Sequence, residues 1–146
     1  MATKSTVQSL PDYAFAQLLT DNGIALVADE PEDHGGNGLG PTPYQLLTWA
    51  LGTCTAITLQ MYARRKGYPL LEVAVEVEHD RVHVKDSERT DEDPGGLVEQ
   101  FQRKIVVRGP LTDEQRDDLL RVAGRCPVHK TLMAVPQVVD DIEVVD

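Results

Sequence analysis

Two cysteines, Cys54 and Cys126, are the side chains of this 146-residue sequence best suited to redox or nucleophilic chemistry. Cys126 immediately precedes Pro127, and proline is favoured at the first position of a helix, so the Cys126 sulfur is expected at or near a helix N-terminus. Unpaired N–H groups and the helix dipole at that end stabilise a thiolate and lower the thiol pKa. Cys126 is therefore a candidate reactive thiol, with a plain capping role as the alternative.

Residues near Cys126 add positive or potentially positive charge within one turn, namely Arg125, His129 and Lys130. Cys126 and His129 also form a C-x-x-H pair, which with Cys54 and another histidine would be a minimal zinc site. The sequence has no second pair at ligand spacing, so we expect no metal. Taken alone, Cys54 is interpreted as a small buried hydrophobic residue, because it lies in an uncharged apolar segment.

Net charge and composition limit the kinds of molecule that this protein is expected to bind. The sequence has 14 Lys and Arg against 24 Asp and Glu, a net charge of −10. A surface of that sign repels phosphate groups, so we expect neither nucleic acid nor a membrane surface as a partner. Two cysteines are too few for a disulfide scaffold, and the first ten residues contain no apolar signal segment, which together predict a cytoplasmic protein.

Cys54 lies within a long uncharged segment of the sequence. Residues 44–63 are long enough to span a bilayer, but the threonines and glutamines among them favour a helix buried inside a soluble protein. Pro43 and Gly67 predict a helix from Pro43 to about Lys66. One face carries the residues predicted to face the core: Leu47, Ala50, Leu51, Cys54, Ile57, Thr58 and Met61. The opposite face is also apolar, which predicts a central helix covered by sheet or by a second subunit.

The other elements follow from alternation, turns and caps. Tyr13–Leu19 and Ile24–Ala28 flank an Asn-Gly turn and predict a hairpin, and residues 29–40 predict a flexible surface loop. Two alternating runs, Leu71–Lys85 and Val98–Arg108, predict antiparallel strands around a charged turn at Asp86–Gly96. The capping box at Thr112 predicts a helix to about Arg125, whose inward side chains are Leu119, Leu120, Val122 and Ala123. A short helix to about Met133 is expected next, followed by a last strand at Val138–Val144. This order indicates one α+β domain, residues 1–146, on antiparallel sheet.

Two separate blocks of sequence resemble the OsmC family, the osmotically inducible and organic-hydroperoxide-resistance proteins. Gly40–Leu47, Ala50–Ala56 and Met61–Ala63 are similar to the family's first cysteine helix, and Arg125–Leu132 is similar to its second cysteine segment. The blocks occur in the family's order, and the resemblance extends over nearly the whole chain from Tyr13 onward.

The resemblance implies an OsmC-like fold, with antiparallel sheets wrapped around central helices in an intertwined homodimer. It also implies reduction of organic hydroperoxides without metal, haem or flavin. By position, Cys54 matches the peroxidatic cysteine, which becomes a sulfenic acid, and Cys126 matches the resolving cysteine, which forms the disulfide with it. An external dithiol, of lipoyl type by family analogy, then restores both thiols.

This sequence departs from the family at the groups that activate the first cysteine. The family's hydroperoxidases use an N-terminal arginine and a glutamate ten residues before that cysteine, whereas Tyr44 occupies this position here and its neighbour Gln45 is neutral. Neither Lys nor Arg occurs between positions 5 and 63, so we expect a cation from elsewhere, with Arg64, Arg81 and Arg125 as candidates. His129 is a further candidate supporting residue. A catalytically weak protein of the same fold, binding a small molecule or sensing redox state, is the alternative function.

Overall fold

The computed structural model describes residues 2–83 and 96–145 and has an α+β architecture with antiparallel sheets, as predicted. The chain forms two compact units, Met1–Trp49 and Ala50–Asp146.

The first unit contains a three-stranded antiparallel sheet. Its strands β1 (Thr6–Ser9), β2 (Gln17–Asp21) and β3 (Ile24–Ala28) lie in that order across the sheet. Asn22 and Gly23 connect β2 to β3 with φ angles of 46° and 77°. Positive φ at both central residues matches the right-handed strand twist, which is why this dipeptide forms the predicted hairpin. Its first strand covers Gln17–Asp21 and not the predicted Tyr13–Leu19. Strand β1 was not predicted, because its residues are exposed and lack apolar alternation.

The loop after β3 is held by one buried carboxylate. Asp29 is 3% exposed and accepts hydrogen bonds from the backbone N–H groups of Glu30, Asn37 and Leu39, at 2.8, 3.1 and 3.2 Å. A 3-10 turn, Glu32–His34, lies within it. The predicted surface loop is present, and the buried Asp29 carboxylate with its three donors ties distant parts of the segment together.

Helix α1 (Pro43–Lys66) begins and ends where Pro43 and Gly67 predicted. Gly67 has a φ of 70°, and the next N–H, of Tyr68, donates to the Ala63 carbonyl at 2.9 Å. Within residues 2–83 and 96–145, no helix has both the length and the apolar character needed to cross a membrane.

The buried stripe of α1 differs from the predicted one. Its buried residues are Leu51, Thr55, Leu59, Tyr62 and Ala63. Of the residues predicted to face the core, Leu51 is buried, whereas Leu47, Ile57 and Met61 are 41%, 48% and 68% exposed. The prediction was wrong there because a helix that is apolar all round offers no periodic signal to choose a face.

The second unit adds a long hairpin and two helices. Strands β4 (Glu72–His83) and β5 (Leu97–Arg108) pair antiparallel, as predicted, in the register Val73 with Val107 and Val82 with Val98. The end of the first predicted strand and nearly all of the charged turn, residues 84–95, lie outside the described residues. Helix α2 (Asp113–Ala123) starts at the predicted capping box, and helix α3 (Pro127–Met133) follows Cys126.

The core of this unit lies between the second half of α1 and α2. Leu59, Tyr62 and Ala63 pack against Leu119, Val122 and Ala123. The inward position predicted for Leu120 is wrong, because that side chain is 67% exposed. The sheet approaches α1 closely at Gly52, where an added Cβ would lie 3.3 Å from Val77 Cγ2.

The predicted last strand, Val138–Val144, is not a strand in the structure. A strand exists only where its backbone groups pair with a neighbouring strand, and this segment pairs with none among the described residues. Its apolar side chains are instead highly exposed, including Val139 and Ile142 at 89% each.

Candidate redox site

The two cysteines meet where α1, α2 and α3 come together. Cys54 lies in the middle of α1 and is half-buried, whereas Cys126 caps the N-terminus of α3 and is fully buried. Both are free thiols, and the Cys54 thiol donates a hydrogen bond to the Cys126 sulfur. The structure therefore brings together the two sulfur atoms that the sequence singled out.

Cys126 is surrounded by hydrogen-bond donors. Burial opposes its ionisation, but the neighbouring Cys54 thiol, His129 N–H, Thr55 side chain and Val128 N–H outweigh that effect. The pKa of Cys126 therefore lies below the ordinary thiol value. Two of these groups, the N–H groups of Val128 and His129, belong to the first turn of α3. The Thr55 hydroxyl itself donates to the Leu51 carbonyl at 2.7 Å.

The surroundings of Cys54 have the opposite effect on the pKa of its thiol. Burial raises the pKa of its thiol, and the hydrogen bond that it donates to Cys126 raises it further. The Val128 N–H and the Thr58 hydroxyl oppose these effects without reversing them. Of the two thiols, Cys126 therefore has the lower pKa and Cys54 the higher one.

A single arginine organises the groups around the pair. Arg103 Nη1 donates to Thr55 Oγ1 and to the Ala123 carbonyl, both at 3.1 Å, and Nη2 donates to His129 Nδ1 at 3.0 Å. Arg103 thus connects α1, the end of α2 and α3, the three segments that present the cysteines. A guanidinium only donates hydrogen bonds, so Nδ1 of His129 is the acceptor in this contact.

Arg103 was not among the predicted cations. Of those, Arg81 pairs with Glu99 at 2.8 Å, and Arg64 and Arg125 are exposed. The alternation of residues along β5 could have identified Arg103, because it lies on the same face of the strand as Phe101 and Ile105. An unpaired charge is unfavourable on such an apolar face. A basic residue on the apolar face of a strand indicates a buried partner.

The other predicted supporting residues lie at the start of α1 or beside Cys126. Gln45 forms a capping box with Thr42: its N–H donates to Thr42 Oγ1 at 3.3 Å, and its Oε1 accepts from the Thr42 N–H at 2.8 Å. Tyr44 is 47% exposed. Both belong to the first compact unit, whereas both cysteines belong to the second.

A cleft of about 520 Å³ is lined by the residues on either side of Cys126, Arg125 and Pro127, and by Thr58 of α1, whereas neither cysteine itself lines it. Met61, Tyr62, Val122 and Pro127 form its apolar walls, Arg65 and Arg125 contribute positive charge, and Thr58, a hydrogen-bond partner of Cys54, also lines it. An apolar molecule with a polar end fits this combination of surfaces. In the part of the chain that the structure describes, no three His, Cys, Asp or Glu side chains converge in a way that would hold a metal ion.

Comparison with known proteins identifies the family of this α+β protein with two neighbouring thiols. The family model described as "OsmC-like protein" matches residues 35–139, more than half of the chain. The chain therefore belongs to the OsmC-like protein family, as its two cysteine blocks indicated. No match is found among curated proteins.

Solved structures share this fold. An OsmC-like protein from Mycoplasma pneumoniae is 18% identical with a TM-score of 0.71, covering 92% of this chain and 89% of that one. The organic hydroperoxide resistance protein OsmC from Legionella pneumophila is 18% identical with a TM-score of 0.63, covering 90% and 89%. An organic hydroperoxide resistance protein from Elizabethkingia anophelis is 16% identical with a TM-score of 0.59, covering 90% and 88%.

Proposed function

We propose that this protein is a thiol-dependent peroxidase that reduces organic hydroperoxides. The observation that carries the proposal is the hydrogen bond between the Cys54 and Cys126 thiols, two side chains far apart in sequence. Membership of the OsmC-like family supports it, as do structural relatives named organic hydroperoxide resistance proteins.

The difference in exposure supports an order in which Cys54 reacts first. Cys126 is fully buried, so an incoming hydroperoxide meets the half-buried Cys54 first. The Cys54 sulfur attacks the terminal oxygen, an S–O bond forms, the O–O bond breaks, and the alcohol leaves. The Cys126 sulfur then attacks the sulfur of the Cys54 sulfenic acid, which forms the disulfide and releases water.

The cleft favours organic hydroperoxides over hydrogen peroxide. Its apolar walls at Met61, Tyr62 and Val122 suit a hydrocarbon group, which hydrogen peroxide lacks. A dithiol of lipoyl type completes the cycle by exchanging with the Cys54–Cys126 disulfide and leaving as its own disulfide. This reductant requires a reducing compartment, so the proposal places the reaction in the cytoplasm.

The proposal includes a homodimer, which the exposed apolar surface supports. Ile57 on α1 is exposed, and so are Val139 and Ile142 in the terminal segment that lacks a strand partner among the described residues. A second copy would cover this surface and supply a strand neighbour. Analytical ultracentrifugation of the full chain is expected to give the mass of two chains, and the mass of one chain would contradict the dimer.

Steady-state turnover tests the peroxidase directly. With cumene hydroperoxide and dihydrolipoamide, the unsubstituted protein is expected to turn over and Cys54→Ser to be inactive. Cys126→Ser is expected to consume one equivalent of hydroperoxide and to leave a Cys54 sulfenic acid that dimedone traps. Full activity in Cys54→Ser would contradict the assigned roles.

A protein of the same fold that binds a small molecule or senses redox state, with weak catalysis, is the second candidate. The raised pKa of Cys54 favours it, because a protonated thiol is a poor nucleophile. Tyr44, in the position of the family's glutamate, favours it as well. Tight binding of an apolar ligand with negligible peroxide turnover would support this candidate over the peroxidase.

A further inference from the structure

Arg103 projects from the face of the long hairpin that packs against α1. Its register partner in β4 is Val77, and residues directly opposite each other in an antiparallel pair lie on one face of the sheet. Helix α1 lies close to Val77 at Gly52, three residues before Thr55 on the same side of the helix. Arg103 Nη1 reaches Thr55 Oγ1 there, at 3.1 Å. Because Thr55 directly follows Cys54, this bond restrains the segment that presents the first cysteine.

The same guanidinium holds both sides of the turn that contains Cys126. Its Nη1 also donates to the carbonyl of Ala123, three residues before Cys126, at 3.1 Å. Its Nη2 donates to Nδ1 of His129, three residues after Cys126, at 3.0 Å. Helix α3 has seven residues, and a helix this short depends on contacts with the rest of the protein. Arg103 therefore restrains the position of Cys126 from both ends of the turn.

The three acceptors of Arg103 among the described residues are a hydroxyl oxygen, a backbone carbonyl and an imidazole nitrogen. None of them is a carboxylate, so this half-buried cation does not serve to neutralise an acidic side chain. Its donors lie in one rigid plane, a geometry that lysine cannot reproduce. These bonds end on neighbours of the cysteines and not on the sulfur atoms, which is the arrangement of a group that positions other residues.

The sulfenic acid that the proposed peroxidase forms at Cys54 can react in two ways. The Cys126 sulfur can attack the Cys54 sulfur: an S–S bond forms, the S–O bond breaks, and the hydroxyl group leaves with the Cys126 proton as water. Alternatively, the sulfenic sulfur attacks a second ROOH, which breaks the O–O bond and gives a sulfinic acid and ROH. A dithiol reverses the first reaction and not the second, so the position of Cys126 decides whether the protein stays active.

We propose that Arg103 is a positioning residue for the second step, which holds Cys126 beside Cys54 so that the disulfide forms before a second hydroperoxide reacts. The inference deepens the proposed peroxidase and rests on it. A displacement of about 1 Å slows an oriented reaction by roughly 100-fold, so loss of the three bonds is expected to slow disulfide formation by about tenfold or more. The first step takes place at Cys54 without Cys126, and its rate is expected to stay nearly the same.

Product analysis after one equivalent of cumene hydroperoxide separates the two steps. The reduced full chain is mixed with the hydroperoxide and dimedone, and its peptides are identified by mass spectrometry. In the unsubstituted protein we expect mainly the Cys54–Cys126 disulfide. In Arg103→Met we expect the hydroperoxide to be consumed at nearly the same rate and Cys54 to be recovered mainly as its dimedone adduct. Arg103→Lys is expected to give an intermediate ratio, because lysine retains the charge and only part of the donor geometry.

Arg108→Met is the matched control for these variants. Arg108 lies on the same strand and pairs with the exposed Glu72 at 2.8 Å, so we expect this variant to form the disulfide like the unsubstituted protein. Disulfide formation in Arg103→Met as fast as in Arg108→Met would overturn the proposal. An equal slowing of both steps in Arg103→Met would overturn it as well.

A second pair of variants keeps the test decisive if Arg103→Met does not fold. His129→Leu removes the acceptor of Arg103 Nη2, whereas His129→Asn places an amide oxygen in the position of Nδ1. We expect the dimedone adduct to increase in His129→Leu and the disulfide to remain the main product in His129→Asn. The same products from both variants would contradict the inference.

Oxidation by diamide distinguishes failure of this inference from failure of the proposed function. Diamide converts two thiols to a disulfide by taking up both protons and both electrons, without hydroperoxide. We expect Arg103→Met to form the Cys54–Cys126 disulfide about tenfold or more slowly than Arg108→Met. If it does, and the unsubstituted protein reduces no cumene hydroperoxide, the peroxidase proposal fails while Arg103 still positions the cysteines. Equal rates with diamide would overturn the role of Arg103 whether or not hydroperoxide is reduced.

Discussion

Thr55→Val is expected to destabilise the protein although it changes the shape of a buried side chain very little. Thr55 is 0% exposed, and its oxygen accepts a hydrogen bond from Arg103 at 3.1 Å. Valine places a methyl group there, which cannot accept a hydrogen bond. Among the described residues, Arg103 Nη1 then keeps the Ala123 carbonyl, at 3.1 Å, as its partner.

The size of the loss follows from the charge on Arg103. Hydrogen bonds to charged groups contribute roughly 1.5–3 kcal/mol to stability. The apolar methyl group of valine offsets part of this, at most about 0.8 kcal/mol. We expect the free energy of unfolding to fall by about 1–2 kcal/mol, which corresponds to a decrease of roughly 2–8 °C in Tm for a chain of this size.

Urea unfolding at one fixed protein concentration measures this change, with both cysteines kept reduced. Thr53→Val is the matched control, because it makes the same substitution on an exposed side of the same helix and is expected to alter stability by less than about 0.5 kcal/mol. If Thr55→Val were as stable as Thr53→Val, the bond between Arg103 and Thr55 would not support the site as argued.

Two further predictions concern the packing around the pair. Leu59→Ala is expected to cost about 2–5 kcal/mol in urea unfolding, because Leu59 is 0% exposed in the core between α1 and α2. Asp118 accepts the hydroxyl protons of Tyr62 and Tyr68, each at 2.8 Å, and hydrogen bonds led by that from Arg121 lower its pKa to about 2. Because folding lowers the pKa of this carboxyl group, its ionised form stabilises the folded protein at pH values above the unfolded pKa of about 3.9. This contribution to stability is lost as the pH falls towards about 2. Asp118→Asn is therefore expected to flatten the acid part of a stability–pH curve.

Matched controls exist for both predictions. Leu120→Ala removes the same atoms from a 67% exposed side chain and is expected to have a small effect. Asp117→Asn removes the charge of the neighbouring residue, whose exposed carboxylate lies 3.6 Å from the guanidinium of Arg116. An acid dependence that flattens equally in Asp117→Asn and Asp118→Asn would contradict the role of the tyrosine bonds.

Local signals in the sequence were sufficient to predict the elements of the fold that begin and end at chemically distinctive residues. Pro43 and Gly67 predicted both ends of α1, Asn22–Gly23 predicted the hairpin, and the Thr112 capping box predicted the start of α2. Each of these residues acts through its own backbone or an immediate neighbour, so its effect does not depend on the rest of the molecule.

Features that depend on distant partners were not predictable in this way. The buried face of α1 was wrong because α2 and the sheet select Leu59 and Tyr62 from several apolar alternatives. The last strand was wrong because alternation cannot reveal whether a strand partner exists. Arg103 was missed because its three partners lie on other segments of the chain.

The fate of both thiols after a single equivalent of hydroperoxide tests the central claim most directly. The reduced protein is mixed with one equivalent of cumene hydroperoxide, free thiols are counted, and the proteolytic peptides are weighed by mass spectrometry. We predict the loss of two thiols per chain and a peptide pair joined by a Cys54–Cys126 disulfide. Two thiols that persist, or a disulfide that joins Cys54 to a second copy of itself, would contradict the account.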